Sequence, residues 1–369
     1  MNAKLNMKPN EKLKLNMKLN VKMNTNMNKN EDEGKHEGKY EDKHEGQHAD
    51  KHEGQHQDKY EDKHQSVMVS EVLAGLNIQK QGIYIDATFG RGGHSKAILD
   101  HLNQEGRVLA MDKDPEAETK AKELSANDSR FTFKRGSFSG VYAFCQELGL
   151  LGKIAGILMD LGVSSPQLEK ASRGFSFRLD GPLDMRMDPS SGISAAEWLN
   201  TAEESEISRV LKEYGEERFH RRMARAIINA RSQAPIATTL QLAEIITKAN
   251  PAWERHKNPA TRSFQAIRIY INRELEDLAL GLEQALEVLL PKGRLVVISF
   301  HSLEDRIVKR FIQKNEQGDM VPSYLPLPIL NVGKKCHRIG KKAKASITEI
   351  AENPRSRSAI LRVAEKEAE

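Results

Sequence analysis

The stretch DATFGRGGHS, residues 86–95, decides the predicted fold. It follows the apolar run 83–85 and places Gly90, Gly92 and Gly93 within four positions, between an acid and a histidine. Glycine lets a backbone turn sharply and approach a ligand closely, because it carries no side chain that would be in the way. The stretch therefore predicts a ligand-binding turn between a strand and a helix.

Strand-like runs alternate with helical patterns around this turn. The strand-like runs before residue 167 are 82–88, 107–112, 131–136 and 154–162. Strands separated by single helices are typical of βαβ units and of a parallel sheet covered on both faces. Residues 167–263 carry several helical patterns and no convincing strand, and the strand pattern resumes at 294–300 and 358–364. The sequence predicts an α/β fold with a helical module inserted between its fourth and fifth strands.

Composition excludes several classes of protein. The chain has 369 residues, 38% of them hydrophobic, and no apolar run approaches the roughly 18 residues that a membrane span requires. Cys145 and Cys336 are too few and too far apart for a disulfide framework or a zinc site, and no metal site is predicted. The first 65 residues contain many acids, no arginine and no uninterrupted apolar segment, which disfavours a mitochondrial transit peptide and a secretory signal. We expect a cytoplasmic protein, whose net charge of +5 permits nucleic-acid binding.

Residues 1–65 differ in composition from the rest of the chain. A segment rich in Lys, Asn and Met leads into an eight-residue repeat that starts at Lys35, Lys43, Lys51 and Lys59. The repeat is nearly devoid of aliphatic side chains, so it cannot bury enough surface to offset the entropy of ordering the chain. We predict a disordered tail over residues 1–65.

Polar residues follow the predicted strands at the edge where such sheets bind ligands. Asp112 ends the second strand twenty residues after Gly92, the spacing at which an acid reaches a ribose diol in nucleotide-binding units. Phe138 follows the third strand and can lie against a purine ring. Asp160 ends the fourth strand and can accept a hydrogen bond from an exocyclic amine. Together these residues predict a cofactor that contains adenosine.

Two kinds of adenosine-containing cofactor are candidates for this site, a dinucleotide and S-adenosylmethionine. A dinucleotide site would have the pattern G-x-G-x-x-G, whereas Ser95 takes the place of the third glycine here. A short glycine loop with acids after the first two strands suits S-adenosylmethionine better, because that cofactor has no pyrophosphate. A tight turn without any ligand is the alternative for the glycine loop alone, and Asp112 and Asp160 at the strand ends count against it.

Seven motifs occur in the order that is typical of one bacterial family. They are DATFGRGGHS, DLGVSSPQL, RGFSF with DGPLDMRMD, YGEERF, NPATRSFQAIRI, SFHSLEDRIVK and NPRSRSAILRVAE. From about His64 onward, roughly four-fifths of its length, the chain resembles the small-subunit ribosomal RNA methyltransferase H family. These are S-adenosylmethionine-dependent enzymes that methylate cytosine N4. The tail over residues 1–65 departs from the family pattern.

The resemblance implies a class I, Rossmann-like methyltransferase domain in two parts, residues 66–166 and 264–369. An all-helical substrate-binding domain is inserted between them at 167–263. The implied cofactor contacts are Gly92, Gly93, His94, Asp112, Phe138, Asp160 and Gln167. The implied acceptor is a cytidine in the decoding centre, in the P-site region of 16S rRNA in the small ribosomal subunit. No stable protein partner is implied, and a homo-oligomer is left open.

The chemistry favours amine methylation over attack on a ring carbon. Cys145 lies in a predicted helix and Cys336 in a predicted basic loop, so neither is placed as a nucleophile. Methylation of an amine needs a hydrogen-bond acceptor and positioning, for which Asp160 is the best candidate. The sequence after Asp160 lacks the Asp/Asn-Pro-Pro-aromatic turn of many DNA amino-methyltransferases. A DNA enzyme, or a non-catalytic nucleic-acid-binding protein with this fold, remains the alternative.

Several polar residues are candidates for the substrate side. Asp184, Arg186 and His301 either contact substrate or have structural roles. Arg218, Arg221, Arg222 and Arg225 are predicted on one side of a helix, as a phosphate-binding or simply solvated face. The segment KKCHRIGKKAK, residues 334–344, has six Lys or Arg and no acid, which predicts a mobile loop that contacts rRNA or is merely solvated.

Overall fold

The computed structural model describes residues 66–252, 258–318 and 333–368; the predicted tail over residues 1–65 lies outside them. No helix in these three ranges is long and apolar enough to cross a membrane. In chain order the elements are α1 (Val69–Leu76), β1 (Ile83–Asp86), α2 (Gly93–Leu99), β2 (Arg107–Asp112), α3 (Pro115–Asn127), β3 (Phe131–Arg135), α4 (Val141–Glu147), β4 (Ile154–Asp160), α5 (Ser165–Glu169), α6 (Ala195–Thr201), α7 (Glu204–Gly215), α8 (His220–Arg231), α9 (Thr239–Ala249), α10 (Thr261–Asn272), α11 (Glu274–Val288), β5 (Leu289–Ser299), α12 (Ser302–Gln317), β6 (Cys336–Arg338), β7 (Ala343–Lys344), α13 (Ile347–Glu352) and β8 (Ile360–Lys366). Short 3₁₀ turns lie at Phe138–Gly140, Ala171–Arg173 and Pro354–Ser358.

These strands form one mixed sheet in the order β3-β2-β1-β4-β5-β8-β6, and β7 also pairs with β8. Strands β1 to β5 are parallel, whereas β8 runs antiparallel to β5. The strand order reverses between β1 and β4, and ligands bind beyond the carboxyl ends of the strands at such a point. The predicted Rossmann-like α/β fold is confirmed.

The central strands are apolar along most of their length because helices cover both faces of the sheet. Ile85 and Met159 point into one core with side chains of α4, α11 and α12. Their neighbours Tyr84 and Leu158 point into the other core, with side chains of α1, α2 and α3. Alternate residues of a strand thus enter opposite cores, and each large side chain contributes about 1.5–3 kcal/mol by burial.

The described residues between β4 and β5 are mainly helical, as the sequence predicts. Helices α6 to α10 pack around a hydrophobic cluster of their own, which includes Trp198, Leu211 and Phe264. An isolated bridge between Pro182 and Thr238 is the β-pairing found in this part of the described chain. That these helices form a separate substrate-binding domain over residues 167–263 remains a prediction.

Residues 334–344 do not form the mobile loop that their composition predicts. Strands β6 and β7 both pair with β8, and the side chain of Cys336 is fully buried. The prediction was wrong because strands of three and two residues are too short to show alternation. Lysine is also common on edge strands, where its charge prevents further pairing.

Candidate active site

A cavity of about 580 Å³ lies at the carboxyl ends of the parallel strands. Residues that follow β1 to β5 contribute to its wall, in agreement with the position of the topological switch point. Six of the seven predicted cofactor contacts line it: Gly93, His94, Asp112, Phe138, Asp160 and Gln167. The seventh, Gly92, precedes Gly93 in the same turn.

Glycine at positions 90 and 92 is required by the backbone of the turn. Both residues are left-handed, with φ of 54° at Gly90 and 80° at Gly92. A Cβ at Gly92 would lie 2.6 Å from Cζ of Phe89, whose ring packs against Phe131 and Phe133 with centroids 5.4 and 5.5 Å away. Packing against Phe89 therefore requires glycine at position 92, whether or not a ligand also approaches the turn.

His94 and Asp160 form a pair in the wall of the cavity. Nε2 of His94 lies 3.3 Å from Oδ2 of Asp160, and the two side chains are 5% and 23% exposed. Burial of the ring lowers the pKa of His94, but the contact with Asp160 and the charges of Asp160 and Asp86 outweigh burial and raise it. The contact is close, but it lacks the geometry of a hydrogen bond. Within the described chain, both ring nitrogens of His94 and Oδ1 of Asp160 are buried without a hydrogen-bond partner.

Asp86 supports this pair from the end of β1. Its carboxylate accepts hydrogen bonds from Oγ of Ser95 at 2.7 Å and from the N–H of Thr88 at 3.3 Å. Oγ1 of Thr88 accepts the N–H of Asp160 at 2.7 Å. Burial raises the pKa of Asp86, and the nearby His94 opposes that rise. These bonds hold the glycine turn against the end of β4.

Asp112 ends β2 with its carboxylate at the cavity. Oδ2 accepts the N–H of Gly90 at 2.8 Å, and Oδ1 accepts the N–H of Asp114 at 2.9 Å. Burial raises the pKa of Asp112 to about 6, and the two N–H groups oppose the rise. Each oxygen keeps a second lone pair, so the carboxylate can still accept hydrogen bonds from a diol.

We expect affinity for an adenosine cofactor to fall as the pH decreases through about 6, the raised pKa of Asp112. Asp112 is ionised above that pH, and a protonated carboxyl is a weaker acceptor for ribose hydroxyls. Calorimetric titration with S-adenosylmethionine between about pH 5 and pH 8 should show up to about a tenfold loss per pH unit. The Asp112→Asn variant should bind weakly at every pH, and a native affinity that is independent of pH would contradict the assignment.

The side chain of Gln167 makes its hydrogen bonds to other residues of the protein. Its Oε1 accepts the N–H of Ser164 at 2.9 Å, which completes the capping box of α5. Its Nε2 donates to Oδ2 of Asp114 at 2.7 Å, and Arg173 donates to the same oxygen at 2.9 Å. Asp114 in turn caps α3 by accepting the N–H of Glu116. Gln167 thus fastens the loop after β4 to the loop after β2, a role that the resemblance did not imply.

Asp277 joins two loops of the cavity although it does not line the cavity itself. Its Oδ2 accepts hydrogen bonds from Nζ of Lys113 at 2.9 Å and from Oγ of Ser137 at 2.7 Å. Lys113 follows Asp112, and Ser137 precedes Phe138. One carboxylate in the first turn of α11 therefore fixes the loops that carry two predicted cofactor contacts. Asp277 was not identified from the sequence, because no motif or spacing in the neighbouring sequence distinguishes it.

We expect Asp277→Asn to weaken cofactor binding about tenfold, because loss of a charged hydrogen-bond acceptor costs about 1.5 kcal/mol. The rate at saturating cofactor should stay within about twofold, since Asp277 acts through Asp112 and Phe138 rather than on the reacting atoms. Calorimetry and initial rates separate the two effects. Asp128→Asn is the matched control, because Asp128 pairs with Arg130 at 2.6 Å outside the cavity. Equal cofactor affinity in both variants would contradict a positioning role for Asp277.

Asp184, Arg186 and His301, predicted on the substrate side, do not line the cavity. Asp184 and Arg186 pair with each other at 2.7 Å, and this contact outweighs burial and lowers the pKa of Asp184. His301 caps α12: its Nδ1 accepts the N–H of Glu304 at 3.4 Å. Glu304, which sequence reasoning missed, does line the cavity.

The predicted arginine stripe is only partly helical. Helix α8 begins at His220, so Arg218 precedes it and lies over the ring of Phe219 at 5.5 Å. Glu216, with φ of 52°, ends α7 in a left-handed conformation, and the next helix begins only at His220. Arg221 and Arg222 are exposed on α8, and neither lines the cavity.

Glu274, His301 and Glu304 place ligand-type atoms within 4.8 Å of one another. Both oxygens of Glu274 accept hydrogen bonds from Arg268, at 2.9 and 2.8 Å. Because Nδ1 of His301 accepts a backbone N–H, Nε2 carries the proton; Nε2 lies 3.0 Å from Oε1 of Glu304, without the geometry of a hydrogen bond. A guanidinium and a protonated ring nitrogen disfavour a metal ion in this cluster.

Comparisons with known proteins give one matching family model and several similar proteins. The model of the MraW methylase family matches residues 61–367. A curated relative from Legionella pneumophila strain Corby, named Ribosomal RNA small subunit methyltransferase H, is 55% identical and covers 82% of this chain and 98% of its own. The protein of the same name from strain Paris is 54% identical with the same coverage. A solved rRNA methylase from Streptococcus thermophilus covers 82% of this chain and 95% of its own at 10% identity, with a TM-score of 0.37.

Proposed function

The chain belongs to the MraW methylase family, and on that basis we propose that it methylates N4 of a cytidine in 16S rRNA. It is an S-adenosylmethionine-dependent methyltransferase. We place the target in the decoding centre, in the P-site region of the small ribosomal subunit, and the reaction in the cytoplasm. Relatives at 55% and 54% identity carry the name of small-subunit ribosomal RNA enzymes, which supports the substrate class.

The cavity residues fit this cofactor. Oδ1 of Asp160 and the ring nitrogens of His94 are buried without partners in the described chain, and an unpaired buried polar atom costs about 1–3 kcal/mol. A polar ligand would satisfy them. Asp112 retains lone pairs for a ribose diol, and the volume of about 580 Å³ suits a small molecule. We propose that the cofactor is held by Gly92, Gly93, His94, Asp112, Phe138 and Asp160, with Gln167 fixing the loop.

One observation supports the proposed reaction: Oδ1 of Asp160, at the end of β4, has no hydrogen-bond partner among the described residues. S-adenosylmethionine supplies an electrophilic methyl group when bound. The chain's task is to orient the acceptor amine, because its lone pair must leave conjugation with the ring and align with the methyl group. Asp160 accepts a hydrogen bond from the amine, and His94 holds the other carboxylate oxygen in place.

Neither cysteine is suited to a covalent mechanism on the ring carbon. Cys145 and Cys336 are both fully buried and do not line the cavity. Burial raises the pKa of Cys145 to about 11, and burial together with nearby acids raises the pKa of Cys336 to about 12. The reactive thiolate is therefore scarce at neutral pH. This favours direct transfer to an exocyclic amine.

Mass spectrometry of digested nucleosides tests the proposal. Purified protein and S-adenosylmethionine are incubated with small ribosomal subunits from a strain that lacks the modification, and in parallel with duplex DNA. We expect N4-methylcytidine in the rRNA of the subunits. Transfer to DNA alone would favour a DNA amino-methyltransferase. Cofactor binding without transfer to either acceptor would favour a non-catalytic nucleic-acid-binding protein.

A further inference from the structure

We propose that a lysine-rich surface at the edge of the sheet binds phosphate groups of the RNA backbone beside the cavity. The surface, called the lysine face here, consists of Lys309 on α12, Lys341 and Lys342 between β6 and β7, and Lys344 on β7. All four residues are exposed. This proposal rests on the proposed function, because the lysine face would contact the RNA substrate of that reaction.

The charges of the lysine face are not neutralised by the described part of the protein. Within that part, none of its four lysines takes part in an ion pair. The arginines beside them differ: Arg338 pairs with Glu316 at 2.5 Å, and Arg362 pairs with Asp305 at 2.7 Å. Four cations without counter-ions in the described residues form a local excess of positive charge, which attracts a polyanion.

Lysines from two elements converge on one recess. Lys309, Lys341 and Lys342 line a depression of about 50 Å³ between α12 and the β6–β7 turn. Gly340 shapes this turn with φ of 66°, and a Cβ added to it would meet no atom within 4 Å. The recess lies beside paired strands and is lined by three exposed lysines, which suits capture of a phosphate.

Strand pairing places Lys344, one member of the lysine face, beside the cavity. Lys344 pairs with Ile360 of β8, and Ile360 pairs with Ser299 at the end of β5. Neighbouring strands lie about 4.8 Å apart, so the backbones of Lys344 and Ser299 are separated by about 10 Å. Phe300, the residue after Ser299, lines the cavity. An RNA strand whose target base enters the cavity can therefore lay its flanking phosphates on the lysine face.

The test replaces Lys309, Lys341 and Lys342 with glutamine in the full chain. Binding of a fluorescent hairpin of 16S rRNA is measured by anisotropy over a range of KCl concentrations. Each lost phosphate contact lowers the slope of log K against log salt by about 0.7–0.9. We expect the slope to fall by about 2–3 and affinity at low salt to fall about 10–100-fold. Affinity for S-adenosylmethionine should be unchanged, since these lysines do not line the cofactor cavity.

A matched control removes three other lysines. Lys80, Lys153 and Lys292 are exposed and lie toward the amino ends of β1, β4 and β5, at the opposite end of the sheet from the cavity. Their replacement by glutamine changes net charge equally and should leave RNA affinity close to native. A third variant, Arg221→Gln with Arg222→Gln, probes the exposed arginines of α8.

Three results would overturn the lysine face as a binding site. One is native affinity and slope in the Lys309, Lys341 and Lys342 variant. A second is an equal loss in the control triple, which would show a general effect of charge. A third is loss of RNA binding only in the arginine variant. The proposed function fails separately: native protein that binds RNA through these lysines but forms no N4-methylcytidine would retain the lysine face and lose the reaction.

Discussion

Asparagine in place of Asp160 is expected to lower the rate of methyl transfer about 10²–10³-fold, the effect of losing one preorganised electrostatic contact to a reacting group. The amide has nearly the same shape, but it lacks the negative charge and presents N–H donors where the acceptor amine needs an oxygen. His94 also loses the counter-ion that raises its pKa. Cofactor affinity should also fall, because Asp160 is among the residues proposed to hold the cofactor, but it should fall less than the rate.

Single-turnover rates at saturating cofactor, with calorimetry for cofactor affinity, separate the chemical step from binding. Asp184→Asn is a suitable control, since Asp184 also pairs with a cation, Arg186, but does not line the cavity. We expect its rate to stay within about threefold of native. Asp160 would not be the group that orients the amine if its asparagine variant kept a native rate, or if both variants lost activity equally.

Alanine at Gly92 is expected to reduce the free energy of unfolding by about 2–4 kcal/mol. The left-handed φ of 80° accounts for about 1–2 kcal/mol of this loss. The rest comes from overpacking, because the new Cβ would lie 2.6 Å from the buried ring of Phe89. Cofactor affinity should fall as well, since Gly93 and His94 follow directly in the turn.

Urea unfolding with and without S-adenosylmethionine measures this loss, and Gly90→Ala is the matched control. Gly90 is also left-handed, with φ of 54°, but a Cβ there would meet no atom within 4 Å. Its alanine variant should therefore lose only about 1–2 kcal/mol of the free energy of unfolding, from the backbone conformation. If the two variants are equally stable, contact with Phe89 is not what excludes a side chain at Gly92.

The parts of this protein that could be predicted are those that depend on neighbouring residues in the chain. The parallel strands β1, β2, β4 and β5 contain continuous apolar runs, and the positions of Asp112 and Asp160 follow from where two of those runs end. Their common place in one cavity follows from the geometry of parallel strands, whose carboxyl ends lie at the same edge.

What escaped prediction depends on contacts between distant segments. The bond from Lys113 to Asp277 spans 164 positions, and the bond from Gln167 to Asp114 spans 53. No periodicity or spacing encodes such pairs, so the side chains that hold the cofactor loops could not be identified. Cys336 was misplaced for a related reason, because its strand exists only by pairing with β8.

Strand β8 lies inside the sheet, between β5 and β6, although it is the last strand in chain order. During synthesis, β5 therefore has one edge without a partner until the roughly 60 residues from Ser299 to Ile360 have been added. At about 5–20 residues per second, this takes about 3–12 s on a translating ribosome. An unpaired edge next to a hydrophobic core promotes aggregation. The sheet of the nascent chain is therefore incomplete during this interval. This is when the chain most needs a chaperone to prevent aggregation.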